Sequence, residues 1–124
     1  MSRKEVINPP NGPPPSGPYS RAVRFENLIF VSGLSAKNSD GTPFTGTIEE
    51  EVTNVLDNIR IILDQAGSSI DKVLKMTVLL SDPQTWSKMN EVYRKYFSTN
   101  PPARTTIISK IEPAKVEMDA IAYV

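Results

Sequence analysis

The chain has 124 residues, with 14 basic and 14 acidic side chains, 11 prolines and neither cysteine nor histidine. Without thiols or imidazoles it can build no disulfide, thiolate zinc site, cysteine nucleophile or Ser-His-Asp triad. Catalysis would have to rest on carboxylates, Lys, Arg, Tyr, hydroxyls, backbone amides or a bound cofactor, and an oxygen-only magnesium or calcium site is the metal option left open.

A net charge of zero gives no electrostatic reason to expect nucleic acid or anionic lipid as a partner, and leaves self-association unopposed by charge repulsion. The length suits one domain. No apolar run approaches the ~18 residues of a membrane span, and the N-terminus lacks the apolar core of a signal peptide. A soluble, cytoplasmic protein is therefore expected, with mitochondria as the alternative.

Residues 8–18, NPPNGPPPSGP, hold six of the 11 prolines, which excludes a helix or an interior strand there. Residues 1–16 are expected to form a flexible, Pro-rich lead-in, and residues 17–124 the single domain. The apolar, β-branched run Asn27 to Gly33 reads as a strand that pairs with Tyr19 to Phe25 as a hairpin. Residues 35–46 carry the turn signals of a loop.

Thr47-Ile48-Glu49-Glu50 matches a capping box, and Ile48, Val52, Val55, Leu56, Ile59, Ile62, Leu63 and Ala66 then step by three and four. The helix carries Glu51, Asn54, Asp57, Asn58 and Arg60 opposite that stripe and ends at Gly67. Residues 73–80 alternate as a central strand, with Leu74, Met76, Val78 and Leu80 on one side. Ser81-Asp82-Pro83 opens a second helix that runs to about Phe97, where Asn100-Pro101-Pro102 forbids continuation. Arg104 to Ile111 and Val116 to Val124 are the last strands, separated by a turn near Glu112-Pro113. The order β-β-α-β-α-β-β predicts an α+β fold with one helical layer on a mixed sheet. The bare sheet face would need a partner, and another subunit fits that need.

Arg104 begins a strand, where it is either a surface arginine with a solvated head or a planar fork for a carboxylate. Glu117 and Asp119 share a strand face with Ile121 and Tyr123, as a solvated acidic edge or as part of a pocket in which desolvation favours proton transfer. Asn90 falls within the apolar stripe of Trp86, Met89, Tyr93 and Phe97, so its amide ties down a loop or points into a polar cavity. Ser32-Gly33 ends the first apolar strand, where backbone can approach a ligand or simply turn.

Together, Gly17-Pro18-Tyr19-Ser20, Leu28 to Gly33, Ala66-Gly67, Val73 to Val78, Met89 to Tyr93, Tyr96-Phe97, Pro102-Ala103-Arg104 and Val116 to Ala122 resemble the RidA/YjgF family. The likeness extends from about Val6 to Val124. It implies a chorismate-mutase-like fold and a homotrimer with clefts between subunits. It also implies hydrolytic deamination of reactive 2-imino/enamine acids, such as 2-aminoacrylate and 2-aminocrotonate, to 2-oxo acids and ammonia, without metal or organic cofactor. By the same resemblance Arg104 grips the substrate carboxylate and Glu117 positions or activates water. Tyr19, Ser32, Gly33 and Asn90 line the pocket, and Thr106 stands where a cysteine is frequent, offering its backbone amide.

Three departures accompany the match, one being Thr105-Thr106 in place of the common small residue and cysteine after the arginine. Leu34-Ser35-Ala36 replaces the customary Gln-(Ile/Val)-Pro of a pocket-lining loop, and the Arg104 to Glu117 connection is about two residues shorter than usual. The loop change motivates an alternative, a trimeric ligand-binding or regulatory member with little catalysis. Some relatives are described as endoribonucleases or translation inhibitors, a role the neutral charge and missing histidine do not favour.

Overall fold

A computed structural model describes residues 3–124. Six strands form one sheet: β1 (Glu5–Ile7), β2 (Ala22–Phe25), β3 (Leu28–Ser35), β4 (Val73–Leu80), β5 (Ala103–Ile108) and β6 (Val116–Tyr123). The spatial order is β1-β2-β3-β6-β4-β5, with β4 and β5 parallel and every other neighbouring pair antiparallel. Helices α1 (Ile48–Gln65) and α2 (Trp86–Tyr96) form the expected layer. The α+β architecture agrees with the sequence pattern, with one strand added.

That added strand is β1, which pairs with β2 in the register Glu5↔Arg24 to Ile7↔Ala22. The expectation of a flexible lead-in missed it because three residues are too short for an alternation signal. The proline segment after it is also placed, with Pro9, Gly12 and Pro13 buried and Gly12 beside the Ile61 and Ile62 side chains of α1. The first two residues of that lead-in lie outside the described residues.

The α1 cap forms as the sequence pattern requires. Thr47 Oγ1 accepts from the Glu50 amide at 3.1 Å, and Glu50 Oε1 accepts from the Thr47 amide at 2.9 Å, so two otherwise orphan helix donors are satisfied. Its apolar stripe, Val52, Val55, Leu56, Ile59, Ile62 and Leu63, is fully buried against the sheet. Each such side chain contributes about 1.5–3 kcal/mol. Gly67, at φ +84°, adopts the left-handed conformation that ends the helix at little steric cost.

Glu51 corrects the expected polar face, since it is only 1% exposed. Its carboxylate accepts from the Gly46 amide at 3.2 Å, the Lys115 amide at 3.0 Å and Lys115 Nζ at 3.3 Å. A helix wheel cannot anticipate that two loops fold over this turn and surround the acid with donors. Asn54 and Asn58, from the same helix, bond the backbone of Lys37 and secure the loop before α1.

The sheet is two-sided. Met76, Val78 and Leu80 of β4 and Val116, Met118, Ala120 and Ala122 of β6 pack beneath the helices. Leu74, expected on that inner side, is 45% exposed, because a register shift between Val73 and Lys75 turns Val73 inward instead. Phe30, Ile107 and Tyr123 stay exposed on strands of a sheet whose other face carries no helix.

Glu51→Ala should destabilise the domain by about 3 kcal/mol, because it strands a buried amide and removes a buried charge partner. Thr47→Ala should cost about 1 kcal/mol. Urea denaturation of the two variants checks both size and order.

Candidate functional site

Cross-strand register assigns Arg104, Thr106 and Glu117 to faces of the sheet. Arg104 on β5 stands opposite Met76 on β4, and Thr106 stands opposite Val78. Met76 and Val78 are buried beneath the helices, so Arg104 and Thr106 lie on the helical side. Glu117 on β6 stands opposite Leu79 on β4 and Ser35 on β3, on the bare side. With β4 between β5 and β6, the two strands are about 10 Å apart as well. One protomer therefore does not bring Arg104 and Glu117 together.

The residues form two half-sites. On the helical side, Asn90, Tyr93, Arg94, Phe97, Pro102 and Arg104 line a cavity of about 310 Å³ at the sheet edge. The Arg104 guanidinium lies 4.7 Å from the Tyr93 ring centroid, and its Nη1 is 3.9 Å from Met89 Sδ. Stacking on an aromatic face orients the planar fork without using up its donors, so those not turned to Met89 can meet an anion. Asn90 takes the second of its two sequence readings, on the cavity wall. The Tyr93 hydroxyl is buried without a hydrogen-bond partner. Burial pushes its pKa up to about 12, against an opposing pull from Arg104.

On the bare side, the Glu117 carboxylate rests over Gly33, where a Cβ would stand 3.4 Å from Oε2. Ser32 Oγ donates to the Ser20 carbonyl at 2.7 Å, and its amide donates to the Arg21 carbonyl at 3.0 Å, which joins the end of β3 to the segment entering β2. Tyr19 lies beside them, 42% exposed. Hydrogen bonding with Ser16 is the main cause holding its pKa below the usual tyrosine value.

Sequence reasoning missed Arg21. It is 1% exposed, donates from Nη2 to the Gly33 carbonyl at 2.9 Å, and lies 5.4 Å from the Tyr19 ring centroid. The signal available was an arginine next to the inward Ala22 on a strand start, which reads as surface. Arg21 Nε and the Tyr93 hydroxyl are the two buried side-chain polar atoms without a partner among the described residues, one in each half-site.

The altered loop also takes a definite place. Leu34 and Ala36 are 1% and 3% exposed and belong to the core, while Ser35 pairs with Glu117. Among the described residues there is no group of three or more acidic side chains placed to hold a metal ion, and no helix is long and apolar enough to cross a membrane.

The family model described as Endoribonuclease L-PSP matches residues 10–124. A RutC family protein of Pyrococcus abyssi is 42% identical over 123 residues, covering 97% of each chain. The human protein named 2-iminobutanoate/2-iminopropanoate deaminase is 34% identical over 122 residues, covering 96% of this chain and 89% of its own. A crystal structure from Yersinia pestis, titled as a protein of unknown function of the conserved Rid family, superposes with a TM-score of 0.92 at 36% identity, covering 98% of this chain and 100% of that one.

The tyrosines provide a pH test. Absorbance titration should show Tyr19 ionising below the free value of 10.0, and Tyr93 and Tyr96 near 12, both raised chiefly by burial. Phenols whose folded pKa is raised bind more protons than the unfolded chain above pH 10, so stability should fall as the pH climbs from about 10 towards 12. In Arg104→Ala the Tyr93 transition should move higher still.

Proposed function

Since the chain belongs to the RidA/YjgF family of reactive-intermediate deaminases, we propose that it hydrolyses short 2-imino acids, the tautomers of 2-aminoacrylate and 2-aminocrotonate, to 2-oxo acids and ammonia. The observation that supports this reading is the separation of Arg104, beside a cavity on the helical side, from Glu117, over Gly33 on the bare side.

The chemistry asks little of the protein. A protonated imine carbon is already electrophilic, so water adds to it, the resulting carbinolamine transfers a proton to nitrogen, and the C–N bond breaks to release ammonia. Arg104 holds the substrate carboxylate by parallel N–H donors, with the Thr106 amide beside it. Asn90 closes that wall, where it lines the Arg104 cavity. Glu117 accepts a proton from the attacking water and returns it to the leaving nitrogen, while Tyr19, Ser32 and Gly33 form the surface around it. No step calls for a thiol, which agrees with Thr106 at the position where relatives often have cysteine.

The opposed faces make assembly part of this function. A homotrimer in which the helical-side edge of one protomer meets the bare face of the next would bring Arg104 of one chain to Glu117 of its neighbour. It would also cover Phe30, Ile107 and Tyr123, each 39–46% exposed in the single chain. The ligand-binding alternative draws less support than the loop sequence suggested, because Leu34 and Ala36 face the core. Names among relatives include mitochondrial and chloroplast proteins.

Ammonia release from 2-imino acids generated in situ tests the proposal. Arg104→Ala should lower kcat/KM at least about 100-fold, mainly through KM, and Glu117→Gln should lower kcat by about 100-fold to 10,000-fold. Equal rates for wild type and Arg104→Ala would reject the site. RNA cleavage that survives rigorous purification and disappears in Arg104→Ala would favour the endoribonuclease description instead.

A further inference from the structure

The residues of the Glu117 half-site converge on Arg21. Its amide donates to Asn8 Oδ1 at 2.8 Å, its carbonyl accepts from the Ser32 amide at 3.0 Å, and its Nη2 donates to the Gly33 carbonyl at 2.9 Å. Tyr19 lies against the same guanidinium. Gly33 is in turn the backbone over which the Glu117 carboxylate sits. One buried side chain thus touches the aromatic rim and the backbone floor of the half-site.

Charge gives this arrangement its direction. A guanidinium removed from water is costly unless an opposite charge faces it, and Arg21 has a buried Nε without a partner. Burial lowers its pKa, while Tyr19, through its hydrogen bond and its charge once ionised, and the Glu117 carboxylate oppose that shift. Asp119, two residues beyond Glu117 on the same strand face, adds a second negative charge on that face. Arg21 supplies the opposite charge from the β2 side.

We propose that Arg21 is a positioning residue: through the Gly33 carbonyl and through its buried positive charge it seats the Glu117 carboxylate over β3 and sets the Tyr19 ring beside it. Its kinetic consequence rests on the deaminase reading above, whereas its structural consequence does not. Glutamine at this position keeps an N–H donor for Gly33 and loses the charge. Lysine keeps the charge and loses the planar fork. The pair separates electrostatic seating from simple packing.

Crystal structures, thermal melts and imine kinetics of Arg21→Lys, Arg21→Gln and Glu117→Gln provide the test. In Arg21→Gln, Glu117 should leave its seat over Gly33 and kcat should fall about 10–100-fold, with KM within about threefold because Arg104 holds substrate from the other half-site. Arg21→Lys should keep Glu117 seated and recover most of kcat. Glu117→Gln should lower Tm, since it leaves the Arg21 charge without its counter-charge. A folded Arg21→Gln with Glu117 unmoved, or a Glu117→Gln protein as stable as wild type or more so, would overturn the proposal. Should Arg21→Gln not fold, the Glu117→Gln melt and the Arg21→Lys structure decide it. Absence of imine turnover in wild type would defeat the deaminase reading alone, because seating and melting still judge Arg21.

Discussion

A sheet that carries helices on one face and none on the other turns the strict alternation of strand side chains into a sorting rule, and the remaining features of this molecule depend on it. Residues opposite one another across paired strands share a face. Met76 and Val78 therefore commit Arg104 and Thr106 to the helical side, and Leu79 commits Glu117 to the bare side. A slip of one residue in β5 would exchange Arg104 for Thr105 and remove the cation from the Tyr93 ring. Burial of Met76, Val78 and Met118 holds the register of β4 against β6, since a one-residue slip there would expose apolar side chains across the inner face.

The two half-sites differ in physical character. Around Arg104 the Tyr93 ring and the Met89 sulfur hold the guanidinium beside a cavity that Asn90 and Arg94 also line. Around Glu117 the surroundings are backbone and charge: Gly33 beneath, Asp119 along the strand and the buried Arg21 behind. One half is suited to binding an anion and the other to managing a proton. Keeping them apart within a protomer prevents the arginine and the glutamate from neutralising each other directly. In the assembly proposed above, substrate would lie between them.

Much of this was legible in the residues. The capping box at Thr47, the three-four stripe of α1, the alternation of β4 and the proline stops after α2 each follow from local chemistry, and the elements stand within a few residues of their expected places. The errors have a common origin in contacts between distant segments. Glu51 looks solvent-facing on a helix wheel, yet Gly46 and Lys115 enclose it, the latter from 64 residues away. Leu74 follows the inner alternation until a register shift turns it out. β1 is too short to announce itself and exists because β2 offers an open edge.

Sequence alone determined the type of chemistry available, because missing side chains cannot be supplied by folding: with no histidine and no cysteine, carboxylates, Lys, Arg, Tyr, hydroxyls and backbone amides were left, and the family resemblance then singled out Arg104, Glu117, Tyr19, Ser32, Gly33, Asn90 and Thr106. It also determined the order of the helices and of the longer strands, since capping and periodicity act over a few residues. Only the tertiary structure decided that Arg104 and Glu117 occupy opposite faces, because face assignment depends on which strands pair and in which register. Only the tertiary structure turned Arg21 from an ordinary surface arginine into a buried cation behind Glu117, since burial is a property of what the rest of the chain places over a residue.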